Sequence, residues 1–284
     1  MIQLKAYAKL NLSLDITGKR TDGYHELDGI MQSISLFDTV ALEKAKDIAV
    51  SMDTGGVDML RNTAYKAAVK FRERTGAGGA VIRIQKRIPA EAGLGGASAD
   101  AAAVLFGMNK LYGTNLCTEE ICDIGVSVGA DVPFALTGGL ARAKGVGDKL
   151  TRIEPGISLH FVIVKPHAGV PTAEAFRRYK KTEPLRISTV EYALAKGDMA
   201  LFLRCAGNAL GMAALGIAPE IMTAASALMA AGAPCALMSG SGSTMFAPFV
   251  SMDEALLAAA RVKGDFSYMG VVSAVNTGLE EMTE

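Results

Sequence analysis

Residues 88–111 read IPAEAGLGGASADAAAVLFGMNKL. Three glycines, Gly93, Gly95 and Gly96, stand between an alternating apolar run, AVIRIQKRI at 80–88, and an alanine-rich run that ends before Gly113. The alternation predicts a strand. The alanine-rich run predicts a helix to about Leu111, capped by Ser98 or Asp100, with Gly113 just past its end. Strand, glycine turn and helix in that order can hold an anion. Glycines let backbone N–H groups approach without a Cβ in the way, and a helix start adds unpaired N–H groups and the positive end of its dipole. On these residues alone, a plain tight connection is an equal reading. Two familiar phosphate loops do not fit. A Walker loop needs Lys-Ser or Lys-Thr after its last glycine, and no Gly-Lys-Ser/Thr occurs. A dinucleotide fingerprint needs Gly or Ala at its sixth position, where Ser98 stands.

Outward from the loop, MIQLKAYAKLNLSLDI at 1–16 alternates for its whole length, with Leu4, Ala6, Ala8, Leu10, Leu12, Leu14 and Ile16 on one face. Period two predicts a long half-buried strand that puts Lys5, Tyr7, Lys9, Asn11, Ser13 and Asp15 on the other face. TGKRTDGYHEL then supplies a turn around Asp22 and Gly23, and residues 30–45 return to strand character. Helices are expected over about 63–74, over Thr118–Gly129 and near Asp253–Lys263. Short strands are expected around Leu140 and Leu150, a buried strand at SLHFVIVKP, a strand–turn–strand at 233–249 and a terminal strand at 270–278. The Ala/Gly-rich region from about 200 to 238 is broken by Arg204, Asn208, Glu220 and Pro234, and reads as packed helices.

The 284 residues carry 29 basic and 29 acidic side chains, which gives no electrostatic case for nucleic acid or a membrane surface as partner. Four cysteines without a CxxC pair and three histidines predict no metal site, and thiols in a reducing cytoplasm. The first residues show no basic segment leading into an apolar signal stretch.

PAEAGLGGASADAA resembles the phosphate-binding motif of the GHMP kinases, with Ala97 and Ala99 standing where relatives carry glycine and serine. AKLNLSLDITGKRTDGYHEL, GADVPFALTGGLARAKGVGDKL and LMSGSGSTMFA follow in the order of the same superfamily. Together they resemble its branch that phosphorylates a cytidine diphosphate polyol in the non-mevalonate isoprenoid route. That resemblance implies an α+β fold of two lobes with a cleft between them. Residues 1–154 would form a ribosomal-protein-S5-like catalytic lobe, and residues 155–284 a ferredoxin-like lobe. It also implies transfer from ATP to the tertiary 2-hydroxyl of the polyol, with Mg²⁺ carried mainly by ATP, in a monomer or homodimer.

The same resemblance assigns roles. Pro89, Gly93, Leu94, Gly95, Gly96, Ala97, Ser98 and Ala99 would hold ATP, with Ser98 at phosphate or Mg²⁺. Asp131 would be the general base. Lys9 would pair with it and offset charge on the transferred group. Asn11 would meet substrate hydroxyls. Tyr24, His25 and Phe176 would hold the cytosine ring, with Thr172 in the same pocket. Asp100, Gly240, Ser241 and Gly242 would support the cleft. By local sequence alone, Asp131 reads as a turn before Pro133, Lys9 as a solvated strand lysine and Tyr24-His25 as an aromatic plug. Two other functions stay open: a sister kinase acting on homoserine or a mevalonate derivative, and a non-catalytic nucleotide-binding protein on the same scaffold.

Overall fold

The computed structural model describes residues 1–21, 23–54, 58 and 61–282. Asp22, part of the expected turn, lies outside them. The first two strands, β1 (Ile2–Lys19) and β2 (His25–Ala45), form one long antiparallel ribbon from Ile2↔Leu42 to Lys19↔His25. Its register shifts after Tyr7, Asn11 and Ile16, and such irregularities bend and twist a ribbon. The ribbon seeds a sheet with β3 (Ala49–Met52), β4 (Gly79–Gln85), β5 (Leu140–Gly145) and β6 (Lys149–Arg152). β4 pairs with the second half of β2 and carries β3 beyond it, while β5 pairs with the first half and carries β6.

Four helices belong to this part of the chain: α1 (Thr63–Thr75), α2 (Gly96–Tyr112), α3 (Thr118–Val126) and α4 (Val132–Thr137). α2 packs on β1 and β2 with α1, α3 and α4 around it. The apolar face of β1 meets α2 in the main core, where Leu4, Leu10, Ala102, Val104 and Leu105 are fully buried. Each leucine or valine buried there contributes about 1.5–3 kcal/mol. Asn62 caps α1 through its side chain, as the Asn-Thr start suggests. α2 is different. Its cap is Gly95, in the left-handed region, without a side-chain hydrogen bond. Ser98 and Asp100 lie inside the helix and cap nothing, because the glycine turn starts the helix at least three residues earlier than a Ser98 or Asp100 cap would. α3 ends at Val126 rather than Gly129.

A second sheet follows, of β7 (His160–Lys165), β8 (Leu237–Met238), β9 (Met245–Phe249) and β10 (Tyr268–Ser273), in the order β10-β7-β9-β8. Between β7 and β8 run α5 (Thr172–Arg178), α6 (Ile187–Lys196), α7 (Met199–Cys205), α8 (Gly211–Leu215) and α9 (Glu220–Ala230). With α10 (Met252–Arg261), α9 packs on this sheet, burying Ala224, Leu228, Ala255 and Ala258 against Val162, Val164 and Ala247. No helix among the described residues is long and apolar enough to cross a membrane.

The expected strand at 270–278 is split. Its first part is β10, and after Asn276–Gly278 the chain crosses back as β11 (Leu279–Glu281) to pair with β1 at Leu4–Ala6. Nor is β1 half-buried. Lys9, Asn11, Ser13 and Asp15, on its polar face, are 7%, 3%, 0% and 5% exposed. The later part of the chain closes over them. Ser13 exchanges hydrogen bonds with Gly207, and Asp15 accepts from the Leu185 amide at 3.0 Å. Alternation alone cannot distinguish a face turned to water from one covered by residues two hundred positions away.

Candidate active site

The glycine loop, the polar face of β1, the approach to α4, the β1–β2 turn and α5 surround one cleft of about 1540 Å³. Pro89, Gly93, Leu94, Gly95, Gly96, Ala97 and Ser98 line it. Ala99 does not; it is fully buried on the inner side of α2. The amides of Ser98 and Ala99 return to the Gly95 carbonyl at 3.0 and 2.9 Å, so those of Gly96 and Ala97, at the first helical positions, are the ones a helix leaves unbonded. Gly93 has φ 72° and lies so close to the second sheet that a Cβ would strike the Ser239 carbonyl oxygen. Thr63 Oγ1 donates to the Ala97 carbonyl at 2.7 Å and ties the loop to α1.

Beside the loop, Lys9 and Asn11 point the same way from β1, two residues apart. The Lys9 ammonium donates to Asn11 Oδ1 and stands 3.6 Å from Asp131 Oδ2. Asp131 directly precedes α4, where Pro133 suits the first helical turn. The Lys9 side chain is 9% exposed and that of Asp131 32%, so the pair is dry on the lysine side and open to the cleft on the other. The chain thus brings together two charges 122 positions apart that by local sequence read as a solvated lysine and a turn aspartate.

The third glycine motif closes this arrangement from the second sheet. Ser239 Oγ accepts from the Asn11 amide at 3.1 Å and donates to the Gly93 carbonyl at 2.8 Å, so one hydroxyl joins β1, the loop and the later motif. Gly240 has φ 54°, and a Cβ there would sit 3.1 Å from Asn11 Oδ1 and 3.2 Å from Lys9 Nζ. Asn208, read in the sequence only as a break in the Ala/Gly-rich region, holds the turn by donating to the Met238 and Gly240 carbonyls, both at 2.8 Å. Ser241 lines the cleft and shares a 2.9 Å hydrogen bond with Thr172; Gly242 lies behind, against Met238.

At another end of the cleft, Tyr24 is 65% exposed, and His25 stacks on Phe176 with centroids 5.2 Å apart and planes 25° apart. Tyr179 meets His25 edge-on at 6.0 Å. Burial, then the charge of Lys19, lowers the His25 pKa, which favours the neutral ring. Lys19, Arg177 and Tyr179 also line the cleft, and no local pattern singles out the two cations.

Lys86 and Asp38, both missed in the sequence, join Asp100 under the glycine loop. Lys86, just past β4, donates to Asp38 of β2 and to Asp100 of α2, the latter at 2.7 Å. Asp38 also accepts from the Arg87 and Ile88 amides at 2.6 and 2.9 Å. Burial pushes the Asp100 carboxyl up to about 7, with Lys86 opposing and Asp38 reinforcing the shift. In IQKRIPAE, nothing distinguishes Lys86 from an ordinary strand-end charge. Met52, Asn62 and Thr63 line the cleft beyond it. Among the described residues, no three His, Cys, Asp or Glu side chains gather as metal ligands would. The four cysteines are all free thiols.

Residues 62–139 match the family described as GHMP kinases N terminal domain. A 4-diphosphocytidyl-2-C-methyl-D-erythritol kinase of Carboxydothermus hydrogenoformans is 46% identical over 254 residues, 85% of this chain and 86% of that protein. One of Pelotomaculum thermopropionicum is 40% identical over 270 residues, covering 93% and 94%. Among solved structures, a 4-(cytidine 5'-diphospho)-2C-methyl-D-erythritol kinase superposes with TM-score 0.80 at 32% identity, covering 96% of this chain and 98% of that one. A homoserine kinase from Cytophaga hutchinsonii gives 0.77 at 20% identity, covering 99% and 97%, a likeness of fold alone.

Proposed function

The chain belongs to the 4-diphosphocytidyl-2-C-methyl-D-erythritol kinases of the GHMP kinase superfamily, and from that premise we propose that Asp131 and Lys9 carry out phosphoryl transfer to the substrate's 2-hydroxyl. The enzyme phosphorylates 4-diphosphocytidyl-2-C-methyl-D-erythritol at the expense of ATP, on the two-lobed α+β fold of the superfamily. The 3.6 Å approach of Lys9 to Asp131, beside a glycine loop and inside one cleft, carries the assignment of roles.

The ATP phosphates lie on the loop from Gly93 to Ser98, at the positive end of α2. The loop fits that group, because the Gly96 and Ala97 amides at the start of α2 are left without helical partners beside the cleft. Mg²⁺ carried on ATP would neutralise phosphate charge, and the hydroxyl of Ser98, which lines the cleft, would offer it an oxygen. Asp131 accepts the proton of the 2-hydroxyl as its oxygen bonds to the γ-phosphorus and the bond to ADP breaks. Lys9 meets the charge on the transferred group, and Asn11, which already shares the ammonium, orients the acceptor. Help from such a base is typically about 10²- to 10⁴-fold.

Cytosine enters between Tyr24 and Phe176, with His25, held against Phe176, at its edge and Thr172 alongside. Residues 1–154 with β11 form the catalytic lobe, residues from 155 to the end of β10 form the other, and the enzyme works in the cytoplasm. ADP release against a panel of acceptor alcohols tests this reading. Turnover with the cytidine substrate and none with homoserine or mevalonate is expected. Turnover of homoserine without competition by cytidine nucleotides would favour a sister kinase, and no ADP release with any acceptor would favour a binding protein.

A further inference from the structure

We propose that the segment 168–172 couples the two substrate sites, so that cytosine on Phe176 and ATP on the glycine loop bind with positive cooperativity. The proposal rests on the reading that the loop holds the ATP phosphates and that α5 carries the cytosine pocket.

The lead-in to the glycine loop does not hold its own shape. Glu91 has φ 49°, a left-handed conformation that a residue with a side chain keeps only where its surroundings impose it. Three consecutive carbonyls there accept from the later part of the chain. Glu91 accepts from the Val170 amide at 3.3 Å, Ala92 from the Thr244 amide at 3.3 Å and Gly93 from the Ser239 hydroxyl at 2.8 Å. Glu91 also packs on that part, since a Cβ on Gly169 would lie 2.5 Å from its Oε2 and 2.8 Å from its Cβ.

These contacts lead to α5. Val170 stands just ahead of Thr172, the first residue of α5, and Phe176 lies one turn further on. Thr172 shares its 2.9 Å hydrogen bond with Ser241, in the same turn as the Ser239 that holds Gly93. The start of α5 therefore reaches the loop by two routes. One runs through Gly169 and Val170 to Glu91, the other through Ser241 to Ser239. The Ala168 carbonyl, which accepts from Ser243 at 2.6 Å, ties the two together.

α5 itself is lightly held. Of its 7 residues only Ala175 is buried. Its acid, Glu174, pairs with Arg177 and Arg178 of the same helix, and Arg178 reaches out to the Gly216 carbonyl at 2.9 Å. An element with so little buried apolar contact opens at low cost. Cytosine stacked on Phe176 supplies packing that α5 lacks and fixes the segment before it. The bonds at Glu91 and Gly93 are then in place before the nucleotide arrives, and ATP meets a loop already ordered. By linkage, ATP favours cytosine by the same factor.

Calorimetry of the full-length enzyme with Mg²⁺ and the non-hydrolysable analogue AMP-PNP, with and without saturating cytidine 5′-monophosphate, measures the coupling. The monophosphate lacks the polyol, so it fills the cytosine pocket without placing an acceptor against the nucleotide. AMP-PNP should bind at least about fivefold more tightly in its presence, and the monophosphate should gain by the same factor from AMP-PNP. Hydrogen exchange in the glycine loop should slow with the monophosphate alone. Ser241→Ala removes the partner of Thr172, and Glu91→Gly removes the side chain against Gly169 and frees the backbone. The double variant should bring the factor to within about twofold of unity. Loss of a contact with one ligand changes its Kd but cancels in that ratio, so a purely local role does not move it. An AMP-PNP Kd that does not fall with the monophosphate, or a double variant with the wild-type factor, overturns the proposal while the two sites stand. Absence of binding heat with either ligand overturns the proposal and the reading of that ligand's site together.

Discussion

Replacing Asp131 by Asn removes a charge and leaves the shape. At 3.6 Å, the attraction to Lys9 is about 1–5 kcal/mol for effective dielectric constants between those of water and a protein surface. A carboxylate a third exposed belongs at the low end, roughly 1–2 kcal/mol after screening. The Lys9 ammonium keeps Asn11 as partner, so the fold should survive, with Tm lowered by about 2–8 °C. Turnover should fall far more. Loss of the base removes about 10²–10⁴ in kcat, or roughly 2.7–5.5 kcal/mol. Thermal unfolding, ATP binding and steady-state ADP release on one preparation separate the two effects. Lys9→Met should cost a similar factor, and the double variant little more than the worse single one, because residues that act on one proton transfer are not additive. A kcat for Asp131→Asn within tenfold of wild type, or fully additive losses, would refute the reasoning.

Tyr24→Ala should raise KM for the cytidine substrate by about tenfold, the order of one base-stacking contact, and leave KM for ATP unchanged; equal losses in both would remove the stacking role. Gly93→Ala and Gly113→Ala both put a side chain at positive φ, a cost of about 1–2 kcal/mol, but only the first meets a neighbouring backbone, since nothing lies within 4 Å at Gly113. Urea unfolding should show Gly93→Ala losing at least about 2 kcal/mol more than Gly113→Ala, and equal losses would contradict the close approach to Ser239. Because burial and Lys19 lower the His25 pKa, the neutral ring persists in the folded protein down through the ordinary histidine range, and its contribution is lost only as pH falls through the lowered folded value. KM for the cytidine substrate should therefore rise below about pH 6.5, with the rise absent in His25→Gln.

Much of the fold and part of the site could be read in the sequence, for reasons that differ by residue. The alternation of β1 and the apolar spacing of α1 are local, and the structure keeps both. The glycine loop was legible because glycine reports a backbone requirement. The Lys9–Asp131 pair needed the order of several motifs, since neither residue signals the other. What stayed hidden was contact at long range: the burial of the polar face of β1, the Ser239 hydroxyl between Asn11 and Gly93, and the Asn208 clasp. Lys86, Asp38 and Asp100 come from three elements and resemble ordinary surface charges until they are placed together. Ser98 and Asp100 look like helix caps because their side chains suit that task, yet the glycine turn supplies the start instead.

The short return of the chain to β1 has a cost during synthesis. Leu4 finds Glu281 as its strand neighbour, while Lys5 and Tyr7 both bond to Glu280. Until β11 emerges from the ribosome, the outer edge of the strand bearing Lys9 displays unpaired backbone at Leu4–Ala6. A nascent chain in that condition is a template for another's strand. Closing so distant a contact is also slow. Chaperone dependence and inclusion-body formation should therefore be governed by β11, although none of its residues lines the cleft.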